Sequence, residues 1–172
     1  MKKAVFLDRD GTINVDNGYV FKCEDFTLIP GAAEGLKLLQ DAGYQLVIVT
    51  NQSGIARGYY SEDQFRALCA YMDELLSKYG IEKIPVYYCP HIGENCNCRK
   101  PKCGLFYKAA HQLNIDFQTS WAIGDRERDL SICCKERVRG ILLANGGSDW
   151  FYTCSNLLDA ARFIYKIDKD KL

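Results

Sequence analysis

Residues 5–12 read Val-Phe-Leu-Asp-Arg-Asp-Gly-Thr, a short apolar run that ends on two carboxylates with one residue between them. A β-branched, an aromatic and an aliphatic residue in succession suit a strand covered on both faces. Gly11 turns the chain, and Asn14, Asp16, Asn17 and Gly18 continue as loop. Asp8 and Asp10 are thereby placed just past the carboxyl end of a central strand, the edge at which open α/β sheets bind ligands. A carboxylate there can serve as a nucleophile, and few folds put a second one two positions later. Taken alone, the stretch also reads as a polar turn. The remainder of the chain decides between the two.

Outward from this stretch, strand-like and helix-like segments alternate across short breaks, the pattern of βαβ units in a parallel sheet. Pro30-Gly31 opens a helix through Ala32, Leu36 and Leu39 that stops near Gly43. Residues 45–49 form a strand ending on Thr50-Asn51-Gln52-Ser53-Gly54. Residues 61–79 carry the strongest helix signal. Ser61 and Gln64 make a capping box, Phe65, Leu68, Met72, Leu75, Leu76 and Tyr79 form an apolar face, and Gly80 closes it. Strands follow at 85–88, 120–123 and 140–143, with helices at 105–113, 129–137 and 156–166. The expected fold is α/β, a single doubly wound, mostly parallel sheet in one domain over residues 1–172.

Of 172 residues, 48% are apolar and 26% charged, which excludes wholesale disorder and fits one full core. Lys plus Arg equals Asp plus Glu at 22 each, so no net field favours nucleic acid and any anion site must be local. No apolar stretch approaches the roughly 20 residues of a membrane span. The run after Met1-Lys2-Lys3 is too short for a signal peptide, and a cytoplasmic protein is expected. Nine cysteines, an odd number, argue for reduced thiols or metal rather than a disulfide framework.

Four polar clusters follow four different strands: Asp8-Asp10, Thr50-Asn51, Arg99-Lys100 and Asp125-Asp129. Each alone reads as a turn or a capping pair; four in this order do not. Acids, a hydroxyl, an amide and two cations converging on one crevice suit phosphoryl transfer, where catalysis is mostly positioning and neutralisation of oxyanion charge. An attacking carboxylate is repelled by a phosphate dianion, and Mg²⁺ between Asp8, Asp125 and a phosphate oxygen removes that repulsion. Thr50 and Lys100 can hold the other phosphoryl oxygens. Asp10 can protonate the leaving alkoxide and then deprotonate water.

The order Asp-x-Asp, strand-end Thr, Lys and late acidic pair resembles the haloacid dehalogenase superfamily of aspartate-nucleophile phosphatases. More closely, the chain is similar to the bacterial heptose bisphosphate phosphatases and the related histidinol-phosphate phosphatases. The carrying stretches are 7–12, 50–58, Cys89-Pro90-His91, Cys98-Arg99-Lys100-Pro101 and Gly124-Asp125-Arg126, between residue 4 and about 145. The resemblance implies that Asp8 is the nucleophile and Asp10 the acid and base. It implies Mg²⁺ on Asp8, the backbone carbonyl of Asp10 and Asp125, with Thr50 and Lys100 steadying the phosphoryl group. Asp16, Asn17, Gly18, Tyr19, Asn51, Gln52, Ser53, Arg99 and Arg126 would line the substrate pocket.

Cys89-x-His91-x₄-Cys96-x-Cys98 is a Cys₃His set that favours structural zinc, and the family carries zinc at the matching positions. With four protein ligands no place remains for water, so its role would be to fix the loop and aim Arg99 and Lys100. Cys103 is close enough to be a rival ligand. The other cysteines read as small apolar residues, and His111 as structural or exposed.

Arg57 suits the distal phosphate of a bisphosphate, a task that a monophosphate amine would not set. A shorter zinc loop and Arg126 in place of the Lys often found there depart towards the histidinol-phosphate enzymes. The spacers after Asp10 and Thr50 are too short for a cap domain, which implies an open site for a small soluble sugar phosphate. The expectation is a monomeric, Mg²⁺-dependent phosphatase acting on the 7-phosphate of a heptose bisphosphate, with histidinol phosphate as the alternative substrate. A catalytically idle sugar-phosphate binder stands as the remote alternative, though every required side chain is present.

Overall fold

The computed structural model describes residues 1–93 and 95–169. Residues 94 and 170–172, which the expected domain includes, lie outside the described residues. Strands β1 (Ala4–Leu7), β2 (Gln45–Asn51), β3 (Val86–Cys89), β4 (Trp121–Gly124), β5 (Arg139–Leu143) and β6 (Tyr152–Cys154) form one sheet in the order β3-β2-β1-β4-β5-β6. Every pairing in it is parallel. The helices are α1 (Ala32–Asp41), α2 (Glu62–Ser77), α3 (Gly104–Leu113) and α4 (Leu157–Lys169).

Strict alternation along the central strands supplies both faces. Val5 and Leu7, Leu46 and Ile48, Trp121 and Ile123 join one core with α1, α2 and α4. Ala4 and Phe6, Val47 and Val49, and Ala122 join the other, under α3 and the 127–134 segment. Such two-sided burial is what a strand without polar interruption requires. Phe6 meets Phe106 of α3 edge-on at 5.4 Å. At the start of α2, Gln64 N donates to Ser61 Oγ and Ser61 N to Gln64 Oε1, which is the capping box read from the sequence.

Three elements differ from expectation. Residues 127–134 wind as a 3-10 helix instead of an α-helix over 129–137. The Asp129 carboxylate accepts from Arg126 N at its start, and the chain must already return to β5 at Arg139. Strand β6 was not anticipated; three residues at a sheet edge carry too short an alternation to register. Tyr79 does not extend the buried face of α2. The helix ends at Ser77, and Tyr79 is half exposed.

Candidate active site

Register brings the expected residues to one edge. Leu7 pairs with Ile48 of β2 and Ile123 of β4; β1 and β4 end within one residue of that level, and β2 runs on to Asn51. Asp8 follows immediately, its N–H donating to Ile123 O at 3.0 Å. Thr50 and Asn51 close β2, and Asp125 follows β4. Gly11 turns away from Asp10 at φ +80°, and a Cβ there would collide with the Asp125 carboxylate. Glycine therefore lets the β1 loop lie against the tip of β4.

Lys100 is the centre of the charge arrangement. Its buried Nζ stands 2.9 Å from Asp8 Oδ1, 2.7 Å from Asp129 Oδ1 and 2.6 Å from Val49 O. Burial alone would depress this ammonium, but Asp8 and Asp129 outweigh it and raise its pKa. Asn51 holds the lysine's backbone reciprocally, donating to Lys100 O at 3.1 Å and accepting from Lys100 N at 3.0 Å. Both halves of that amide are thus engaged with Lys100.

Asp8, Asp125 and Asp129 each offer one carboxylate oxygen to a cluster whose three atoms lie within 4.8 Å of one another. Burial, then the charges of Asp8 and Asp129, push Asp125 up to about 6. Burial and Asp8 also raise Asp129, against the pull of Lys100. The three acids share one buried lysine, with Arg126 reaching Asp125 Oδ2 at 3.6 Å, and Asp125 Oδ1 is buried with no hydrogen-bond partner. A hard dication fits that orphaned oxygen and the all-oxygen donor set. The sequence reading placed Asp129 in the late acidic pair without assigning it a ligand or contact; the contact with Lys100 spans strand tips and leaves no local pattern.

Asp10 faces elsewhere. Its carboxylate accepts from Arg9 Nη2 at 2.7 and 2.9 Å, Asn14 Nδ2 at 3.0 Å and Gln52 Nε2 at 3.0 Å. Arg9 was not foreseen in this role. Although charged, it is buried, donates also to Val20 O, and lies over the Phe65 ring. The cleft of about 290 Å³ above these groups is lined by Asp8, Asp10, Asp16, Gly18, Tyr19, Thr50, Asn51, Gln52, Ser53, Arg57, Arg99, Lys100, Arg126 and Asp129, together with the unforeseen Tyr60 and Arg128. Asn17 and Asp125 stand outside the lining, Asp125 reaching its rim through Asp8 and Asp129. Arg126 leans on Asp16 at 3.4 Å and Asp125 at 3.6 Å. A larger hollow beside Trp150 contains none of the expected site residues.

β3 delivers the cysteine loop to the same edge, since Cys89 pairs with Asn51. Cys89 Sγ lies 3.5 Å from His91 Nδ1, 3.7 Å from Cys96 Sγ and 3.0 Å from Cys98 Sγ. His91 Nδ1 is 3.2 Å from Cys98 Sγ. Zinc at about 2.3 Å from sulfur and 2.0 Å from nitrogen sets tetrahedral edges of roughly 3.5–3.8 Å, so the set fits after a slight opening at Cys98. Burial pushes the Cys89 thiol up to about 12. Burial pushes the Cys96 thiol up, but the Arg99 and Cys98 N–H groups and the neighbouring thiols together outweigh it and bring Cys96 down to about 6. Cys103 lies apart, 3.8 Å from Pro101 O and Ser131 Oγ, and is not in the cluster. All nine cysteines are free thiols.

A parallel 3-2-1-4-5-6 sheet with an aspartate pair at its central tip, a buried lysine and a late acidic pair defines the haloacid dehalogenase class of α/β phosphatases. The family model described as polynucleotide kinase 3 phosphatase matches residues 3–130. A D-glycero-beta-D-manno-heptose-1,7-bisphosphate 7-phosphatase from Haemophilus ducreyi is 54% identical over 137 residues, covering 75% of each chain. One of the same name from Haemophilus influenzae is 40% identical over 184 residues, 98% of this chain and all of its own. The D,D-heptose 1,7-bisphosphate phosphatase of B. bronchiseptica, crystallised with magnesium and phosphate, superposes with a TM-score of 0.87. That comparison is at 29% identity and covers 96% of this chain and 99% of the other. The chain belongs to the family of D-glycero-D-manno-heptose-1,7-bisphosphate 7-phosphatases. Among its described residues, no helix is long and apolar enough to cross a membrane.

Proposed function

We propose that the protein removes the 7-phosphate of D-glycero-D-manno-heptose 1,7-bisphosphate through a phosphoryl-aspartate on Asp8. The observation that carries this reading is the meeting of Asp8, Thr50, Lys100 and Asp129 around one cleft at the carboxyl edge. The Asp8 carboxylate attacks phosphorus, and the phosphorus–oxygen bond to the sugar breaks as Asp10 gives the leaving alkoxide its proton. Asp10 then takes a proton from water, which attacks the phosphoryl-aspartate and returns Asp8 with release of phosphate. Lys100 and Thr50 hold the non-bridging oxygens. Mg²⁺, held by Asp8, the Asp10 carbonyl and Asp125, supplies neutralising charge when bound. Zinc on Cys89, His91, Cys96 and Cys98 pins the loop that carries Arg99 and Lys100.

Asp16, Gly18, Tyr19, Ser53, Arg57, Arg99 and Arg126 form the sugar-facing rim in this reading. The names of the relatives above support heptose over histidinol phosphate, and a family of phosphatases gives no support to an idle binder. A single domain without a cap, working as a cytoplasmic monomer, completes the proposal. Phosphate release from the heptose bisphosphate and from histidinol phosphate tests it directly. A higher kcat/KM for histidinol phosphate would overturn the substrate assignment.

The rim arginines sharpen that test. Arg57 leaves the β2 loop, and Arg99 leaves the cysteine loop, where its Nη1 donates to His91 O at 3.2 Å. An arginine fork matches a phosphate bidentately. Each such contact contributes roughly 1.5–3 kcal/mol, so truncating either residue to Ala should lower kcat/KM for the bisphosphate about tenfold to a hundredfold. A small aryl monophosphate, lacking the distal charge, should be affected far less. Equal losses on both substrates would assign the arginines to the reacting phosphate or the loop.

A further inference from the structure

Gln52 and Tyr60 are buried, lie beside the reacting groups and have no part in the chemistry described above. Gln52 Nε2 donates to Asp10 Oδ2 and to Thr50 Oγ1, both at 3.0 Å, and Gln52 Oε1 accepts from the Tyr60 hydroxyl at 2.6 Å. The direction of every bond follows from one fact. The Gln52 amide nitrogen is shared between Asp10 and Thr50, so its amide oxygen is the atom left to face Tyr60. Tyr60 must then donate. Thr50, having accepted from Gln52, keeps its own proton free for the cleft.

We infer that Gln52 and Tyr60 are positioning residues that set Asp10 and Thr50 together for phosphoryl transfer. The inference rests on the phosphatase reading and replaces a sugar contact by Gln52 with a bond to each of two reacting side chains. The chain runs from the Tyr60 hydroxyl to the Gln52 carbonyl, from its amide to Thr50, and from Thr50 to the phosphoryl oxygen; the second amide hydrogen fixes Asp10. In a dry site such linked bonds polarise one another. Tyr60 is itself held. Its ring stacks on Phe21 at 5.0 Å and 10°, and a Cβ on Gly54 would collide with it. Burial pushes its hydroxyl up to about 12, so it remains a donor at neutral pH. The Gln52 backbone is tied down as well, its N–H donating to Cys89 O at 2.8 Å.

Tyr60→Phe deletes only the oxygen at the head of the chain. At a temperature well below melting, kcat should fall about tenfold while KM stays within about twofold, because the deleted hydroxyl is committed to Gln52 Oε1 and the ring that lines the cleft remains. Gln52→Met keeps the volume and loses every polar atom; its kcat should fall further, about a hundredfold, since Asp10 and Thr50 both lose a partner. The double variant should be no slower than Gln52→Met alone, as expected when two residues act through one path. A residue that merely supported the fold would lower the melting temperature and leave kcat alone. Unchanged kcat in soluble Tyr60→Phe, or multiplying losses in the double variant, would overturn the inference. If Tyr60→Phe does not fold, a Gln52→Met kcat within about twofold of the parent overturns it by itself. Asp8→Asn serves as the control. Turnover surviving there refutes the phosphoryl-aspartate reading on which the inference rests, whereas a dead Asp8→Asn beside a fully active Gln52→Met refutes only the positioning chain.

Discussion

Asp8→Asn keeps the fold and loses turnover at least about ten-thousandfold, the scale on which single nucleophile deletions act. Asparagine matches aspartate in shape but offers no charged oxygen to form the bond to phosphorus. The fold survives because Lys100 keeps its 2.7 Å partner, Asp129, and its bond to Val49 O. Removing one of three clustered charges also relieves repulsion felt by Asp125 and Asp129. Melting temperature should therefore hold steady or rise slightly while phosphate release vanishes. Beryllium fluoride, which mimics an acyl phosphate, should label Asp8 in the parent and bind nowhere in the variant. Substantial activity in Asp8→Asn would point instead to direct attack by water.

Loss of the proposed zinc should be the second-largest effect, and it should strike activity harder than overall stability. Metal binding supplies about 10–16 kcal/mol in zinc-finger peptides, where nothing else holds the fold. Here the sheet has two apolar cores of its own, so a loss of about 3 kcal/mol, or roughly 6–12 °C in melting temperature, is expected for a chain of this size. The chemistry has no such reserve. Arg99 and Lys100 follow Cys98 directly, and Asn51, which clamps Lys100, is paired with Cys89. Cys96→Ser or exhaustive chelation should lower kcat more than about tenfold, and elemental analysis should find one zinc per parent chain. Full activity and parental melting with no zinc bound would rule the site out.

How legible this was in the sequence depended on how local each signal was. The tip of β1 could be read because three apolar residues stop against a charged pair, and α2 because its capping box and apolar face agree. The clustering of the cysteine loop could be read because its three cysteines and one histidine fall within ten residues. Arg9 could not. A charged residue between two aspartates looks solvated, yet Val20 O and the Phe65 ring close over it. Gln52 is given to the substrate pocket by resemblance alone; its bond to Asp10 joins residues 42 apart, beyond any periodicity. The 127–134 segment reads as helix in composition, but its winding is set by Asp129 capping Arg126 and by the short return to β5.

Every reactive side chain described above lies between Asp8 and Asp129, while β5, β6 and α4 contribute none. Yet Ile141 of β5 and Leu157, Ala160, Ala161 and Ile164 of α4 complete one of the two cores. Chemistry and cohesion are thus written in different portions of the polypeptide. A nascent chain emerging from the ribosome has all its catalytic groups in hand about ten residues before β5 begins to cover the β4 edge and about forty before α4 ends. During synthesis the enzyme is complete in its reagents before it is complete as a solid.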